Sequence, residues 1–258
     1  MSYLRDTAIV LKQTPYREYD ARVVLFGRTY GKMTAVARGL KRPHAKHTGS
    51  LEPFSEIEVL IAKGKAFDKL AVARIAKPRL RLRDRLASLA IAGTFVDLAE
   101  RLTRPDAPDV ALYALLGELL DALDALSQEP SAARGRLMLN AATLKLLDLS
   151  GYALHLDQCI ACRTDLAGTV SYAAAAGGFL CEICCRDRRR EYPHALRLPE
   201  HALGLLRFLR LRPLASVLNV TASPELFLSA GAAIEDALRH APLDREPHGA
   251  QTVMRILA

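Results

Sequence analysis

The sequence predicts an α+β chain of two parts: a small five-stranded β-barrel over residues 1–80, and an all-α domain over residues 81–258 with a cysteine-rich insertion. Three observations predict it. Short runs rich in β-branched residues recur, with turn residues between them, up to about residue 77. Beyond Pro78 the apolar spacing changes to three and four, the period of an amphipathic helix. All five cysteines fall between residues 159 and 185.

The strands are read in order as Thr7–Thr14, Ala21–Gly27, Lys32–Arg38, Ser55–Lys63 and Lys69–Ala76. Gly31 suits the positive φ that a hairpin connection demands. In Glu56-Ile57-Glu58-Val59 the alternation points the acids to water and the apolar residues to a core. Five short strands in so small a unit fit a closed barrel of the OB type, because closure leaves no unpaired edge. The first long helix carries Leu86, Leu89, Ala92, Phe95, Leu98 and Leu102 on one face. Arg104-Pro105-Asp106-Ala107-Pro108 ends it, and Asp109 favours the start of a second, which buries Leu112, Leu116, Leu119 and Leu123. A third follows Pro130, carries Leu137, Met138, Ala141, Leu144 and Leu147, and stops at Gly151. Two more are expected at about 199–211 and 224–240, beyond the insertion at about 155–190.

The chain's 258 residues, half apolar and a quarter charged, have the balance of a folded protein with room for two cores. The N-terminal residues lack the order of a secretion signal, and no apolar run reaches the ~18–20 residues of a membrane helix. The expectation is a cytoplasmic, nucleoid-associated protein. The net charge of +8 is unevenly placed. Residues 1–85 hold 19 Lys+Arg and 8 Asp+Glu, a net of +11, leaving −3 for the rest. Such asymmetry points to a polyanionic partner that meets the N-terminal part.

The insertion carries Cys159-Ile-Ala-Cys162 and Cys181-Glu-Ile-Cys184. Each Cys-x-x-Cys turn offers two thiolates from one loop, and two such turns make the tetrahedral four-sulfur set that zinc prefers. A closed four-sulfur shell leaves no position for substrate, so the expected zinc, one per chain, is structural. Gly177-Gly178 allows the turn before the second pair, and Cys185, His155 and His194 are read as bystanders.

Candidate nucleic-acid contacts are basic. Arg38, Lys41, Arg42, His44 and Lys46 lie in a segment, residues 38–47, that contains no acid. Lys63 and Lys65 flank Gly64, and Arg79, Arg81, Arg83 and Arg85 alternate just beyond the last strand. Tyr16, Tyr19, Tyr30 and Phe67 are interleaved aromatics on which bases can stack. On the third helix, Arg136 and Lys145 rim an apolar stripe suited to an acidic, apolar peptide. No phosphate-binding loop, dinucleotide fingerprint, nucleophile elbow or zinc-protease motif appears, so a non-catalytic role is expected.

Several segments together resemble one family. Thr7-Ala-Ile-Val-Leu, Tyr16-Arg-Glu-Tyr-Asp, Ala35-Val-Ala-Arg-Gly-Leu-Lys-Arg-Pro, Gly49-Ser-Leu-Glu-Pro-Phe and Leu146-Leu-Asp-Leu-Ser-Gly-Tyr lead in order to the two cysteine pairs. In this order the chain resembles RecO-family recombination mediators. The resemblance implies an OB fold, a zinc finger, binding of single- and double-stranded DNA, strand annealing, and RecA loading with a RecR-like partner. It also implies that Arg136 and Lys145 serve the acidic C-terminal tail of single-stranded DNA-binding protein. Without the resemblance, charge and barrel leave open a zinc-containing RNA-binding or translation-associated factor.

Overall fold

In a computed structural model of the chain, residues 2–42 and 49–241 are described. Their contacts divide the chain into two compact units, residues 1–127 and 128–258.

The first unit opens with five strands, β1 (Tyr3–Pro15), β2 (Ala21–Gly27), β3 (Gly31–Ala37), β4 (Glu56–Ala62) and β5 (Lys69–Lys77). They close into a barrel in the order β1-β2-β3-β5-β4. The long β1 makes closure possible, since it pairs antiparallel with both β2 and β4. A bulge between Val10 and Lys12 bends it, as an extra residue in one strand must. The circle is completed where β3 meets β5 in parallel at Val36 and Lys69. Alternation fills the interior with Ala8, Val10, Val23, Leu25, Met33, Ala35, Ile57, Val59 and Ile61, all nearly inaccessible. At the β2–β3 turn the Asp6 carboxylate accepts from the Thr29 and Tyr30 backbone N–H groups, each at 3.0 Å. Gly31 has φ +67, and a Cβ there would lie 2.0 Å from the Ala107 carbonyl oxygen. Only glycine satisfies both constraints.

Three helices complete this unit: α1 (Leu80–Arg83), α2 (Leu86–Leu102) and α3 (Val110–Ala125). Asp109 caps α3 by accepting from the Leu112 N–H at 2.9 Å. Lys32 of β3 donates to the Glu100 and Thr103 carbonyls, satisfying acceptors at the end of α2. Such ties, with the ion pairs around Arg79 described below, make α2 and α3 part of the barrel's compact unit. Compaction thus divides the chain well beyond residue 80, where the apolar period changes.

The second unit is built on α4 (Ala132–Leu149), α6 (Glu200–Leu211), α7 (Leu214–Val217) and α8 (Pro224–His240), with α5 (Glu182–Asp187) in the cysteine segment. Gly151, just past α4, has φ +83, the left-handed stop expected there. A three-stranded sheet in the order β7-β6-β8 was not anticipated. Its strands, β6 (Val170–Ala173), β7 (Gly178–Cys181) and β8 (Leu196–Leu198), are too short to show a period of their own. Among the described residues, no helix is long and apolar enough to cross a membrane.

Candidate functional site

The four cysteines of the paired motif converge. Their sulfur atoms all lie within 4.8 Å of one another, and among the described residues no His, Asp or Glu joins the group. The first pair sits on a turn closed by hydrogen bonds from Arg163 N–H to the Cys159 carbonyl and from Cys159 N–H to the Thr164 carbonyl. The second pair sits where β7 runs into α5. Gly178 lets the two approach, because a Cβ there would lie 2.3 Å from the Ile160 side chain. Backbone N–H groups point at the sulfurs: Cys181 N–H donates to Cys159 Sγ at 3.4 Å, and Cys184 N–H to Cys181 Sγ at 3.5 Å. These donors stabilise thiolates.

The spacing fits a metal ion. For Zn–S bonds of ~2.3 Å, the sulfur–sulfur edge of a tetrahedron is ~3.8 Å. Cys162 and Cys181 sulfurs stand 3.8 Å apart. Hydrogen bonding from the Thr164 hydroxyl, 2.9 Å away, brings the Cys162 thiol down to about 6. Burial, joined by hydrogen bonding with the neighbouring sulfurs, pushes Cys184 up to about 12. Four thiolates cannot share this space unneutralised; a divalent cation would supply the missing charge. Cys185 lies outside the cluster. His155 and His194 are exposed.

On the barrel, three connections meet at one rim. Asp20, in the β1–β2 turn, accepts from the Gly39 N–H at 2.8 Å, and the Lys41 N–H donates to the Tyr19 carbonyl at 3.0 Å. Asp68, in the β4–β5 turn, accepts from Val36 N–H through its carbonyl at 2.9 Å. The result is an aromatic and basic surface. Tyr16 meets Phe67 edge-on at 6.3 Å, with the Arg17 and Arg22 guanidinium groups 5.5 and 5.9 Å from its ring centre. Arg42 stands 5.6 Å from the ring of Tyr19. Arg38, Lys41, Arg42, Lys65 and Arg81 are exposed. Arg17 and Arg22 were missed in sequence; Arg17 is the chain neighbour of Tyr16, and the hairpin brings Arg22 to the same ring. The outward position of Arg22, beside the apolar Val23-Val24-Leu25, was the available signal.

Other expected contacts fare differently. Lys63 is engaged with Asp68 at 2.8 Å, a hydrogen bond that raises its pKa. His44 and Lys46 lie outside the described residues. Arg79 requires a correction. It is 1% exposed, so its guanidinium cannot meet a phosphate backbone. It donates to Asp121 at 2.6 Å, to the Phe54 carbonyl at 2.8 Å and to Glu56 at 3.3 Å. Glu56, expected to face water, also accepts from the Tyr113 hydroxyl at 2.9 Å. Arg83 likewise turns back, to the Ser55 hydroxyl and the Pro78 carbonyl. The sequence alternation ends because Arg79 takes a left-handed φ of +48 immediately before α1.

In the second unit Lys145 donates to the Arg210 carbonyl at 2.8 Å, and Arg210 pairs with Asp148 at 2.7 Å. Arg136 is half-buried, and its charge acts on Glu235, whose carboxyl burial nonetheless pushes up. Both predicted peptide contacts are therefore already engaged within their own unit.

A closed barrel with a cationic, aromatic rim, followed by a helical unit holding a four-thiol knuckle, defines a two-module protein. Family models for the recombination protein O N-terminal and C-terminal regions match residues 1–79 and 83–242. A DNA repair protein RecO from Rubrobacter xylanophilus is 32% identical over 241 residues, 93% of this chain and 89% of that protein. Another, from Geobacter sulfurreducens, is 33% identical over 209 residues, 81% of this chain and 84% of its own length. The chain belongs to the RecO family of DNA repair proteins.

Proposed function

We propose that this chain is a non-catalytic recombination mediator that binds single- and double-stranded DNA, promotes annealing of complementary strands and assists RecA loading with a RecR-like partner. The observation that carries the reading is the barrel rim, where exposed Tyr16 and Tyr19 lie beside Arg17, Arg22 and Arg42. Exposed rings give stacking platforms and guanidinium groups follow a phosphate backbone, a combination indifferent to base sequence. The strand order β1-β2-β3-β5-β4 supports the OB-type reading of the barrel. The four thiols would hold one zinc ion, which would fix the knuckle without taking part in chemistry. Acting on chromosomal DNA places the protein's work in the cytoplasm. The acidic tail of single-stranded DNA-binding protein is assigned to α4 near Arg136 and Lys145, where it would compete with the Arg210 carbonyl for Lys145. The test is a salt-titrated binding measurement with DNA and RNA oligonucleotides in direct competition. DNA binding whose logarithm falls linearly with log salt is the expected result. Preferential RNA binding would turn the reading towards an RNA-binding factor.

A further inference from the structure

Arginine is concentrated a second time, beside the cysteine cluster and away from the basic N-terminal third. Arg186, Arg188, Arg189 and Arg190 fall within five consecutive residues, all exposed. An open cleft of about 820 Å³ is lined by Arg186, Asp187, Arg189, Arg190 and Pro193. The acids nearby do not neutralise it. Asp187 is occupied by Arg186 at 3.2 Å and Glu191 by Arg188 at 3.4 Å, while Glu182 pairs with Arg197 at 3.2 Å. Arg189 and Arg190 have no ion pair among the described residues and face the same cleft.

The support is firm for so exposed a patch. Arg188 N–H donates to the Cys184 carbonyl at 2.9 Å, and the Glu191 and Tyr192 N–H groups to the Arg188 carbonyl at 3.0 and 3.1 Å. The arginines therefore sit on a wound turn that begins at two of the clustered cysteines. A flexible tail would lose more side-chain and backbone freedom on binding an anion than this turn does.

We propose that the Arg186–Arg190 cleft is a second binding site for the phosphate backbone of nucleic acid, separate from the barrel rim and on the other compact unit. The proposal rests on the nucleic-acid reading above and extends it to two places on one chain. Guanidinium groups match phosphate oxygens in pairs, which favours arginine over lysine here. Of the five residues that line the cleft, four are charged and Pro193 is the uncharged wall, so charge dominates the recognition it offers.

The experiment uses the full-length, metal-loaded chain and a fluorescent single-stranded oligonucleotide, with binding measured across a salt series. Four proteins are compared: wild type, Arg189→Ala/Arg190→Ala, Arg189→Lys/Arg190→Lys, and the rim variant Arg22→Ala/Arg42→Ala. Loss of two phosphate contacts should flatten the log–log salt slope by about 1.4. Wild type should then lose about sevenfold more affinity than the double alanine variant when salt rises fourfold. The lysine variant should keep the slope, and the rim variant should lose its own share independently. Metal content and circular dichroism matching wild type exclude misfolding as the cause. A double alanine variant with wild-type slope, beside a weakened rim variant, overturns the second site and leaves the barrel reading standing. Loss of binding to a labelled polyglutamate peptide with DNA binding unchanged overturns it in favour of a protein partner. A wild-type chain that binds no oligonucleotide sinks the nucleic-acid reading itself.

Discussion

Replacing Arg79 with Met tests whether a buried guanidinium holds the barrel to its own helices. The side chain is withdrawn from water, and its donors reach Asp121, Phe54 and Glu56. Methionine keeps much of the volume but removes three hydrogen bonds and the cation that bridges two carboxylates. Breaking a buried pair in this way costs ~3–5 kcal/mol. The lower end applies, because Asp121 is 40% exposed and keeps Lys77 at 2.6 Å, so it can rehydrate. Glu56 keeps the Tyr113 hydroxyl. About 3 kcal/mol is a large part of the ~5–15 kcal/mol that stabilises a folded domain. Hydrogen exchange of the barrel amides reads this loss in the first unit alone, where whole-chain melting would mix two units. A change below about 1 kcal/mol would refute the reasoning, since it would mean the guanidinium is solvated in solution. The pH dependence gives an independent check. Burial raises the pKa of Asp121, but hydrogen bonds from Lys77 and Arg79 outweigh it and hold the carboxyl below its ordinary value of 3.8. A depressed carboxyl stabilises the fold above its unfolded pKa, and that contribution is lost as pH falls through the folded value. Acidification below about pH 4 should therefore cost wild type more than Arg79→Met.

Cys181→Ser should lose zinc by elemental analysis and destabilise the second unit, whereas Cys185→Ser should retain a full complement; zinc retained by the first variant would contradict the ligand assignment. Chelation should reproduce the Cys181→Ser phenotype, and mild acid should favour metal release because protons compete for the thiolates. Changing Lys41, Arg42 and Lys46 together to Ala should weaken binding to all DNA sequences and flatten the salt slope by up to about 2; an unchanged slope would make these residues ordinary solvated charges. Arg136→Glu should weaken binding of an acidic tail peptide more than Arg136→Ala, with DNA affinity intact in both; a single half-buried pair that still meets solvent contributes about 1 kcal/mol, so peptide titration must resolve small differences. Equal peptide affinity in all three proteins would place the tail elsewhere.

Local patterns were enough for much of this molecule. The barrel strands and the long helices stand where period and turn residues put them, because alternation and helical spacing are properties of neighbouring residues. The convergence of the four cysteines was readable for the same reason: each pair is a short turn, and two such turns offer a sulfur set that a metal ion could hold together. The small β7-β6-β8 sheet was not readable, since strands of three or four residues carry no period and form only against one another. Arg79 is the sharpest case. Its neighbours made it one of an alternating row of surface cations, yet the folded chain buries it against residues 42, 25 and 23 positions away. Whether a cation meets solvent or is enclosed depends on which carboxylates and carbonyls folding delivers to it, and desolvation is tolerable only when they arrive together. The meeting of Phe67 with Tyr16 and Arg22 has the same origin: the β1–β2 and β4–β5 turns, about fifty residues apart in sequence, become one surface only once the barrel has closed.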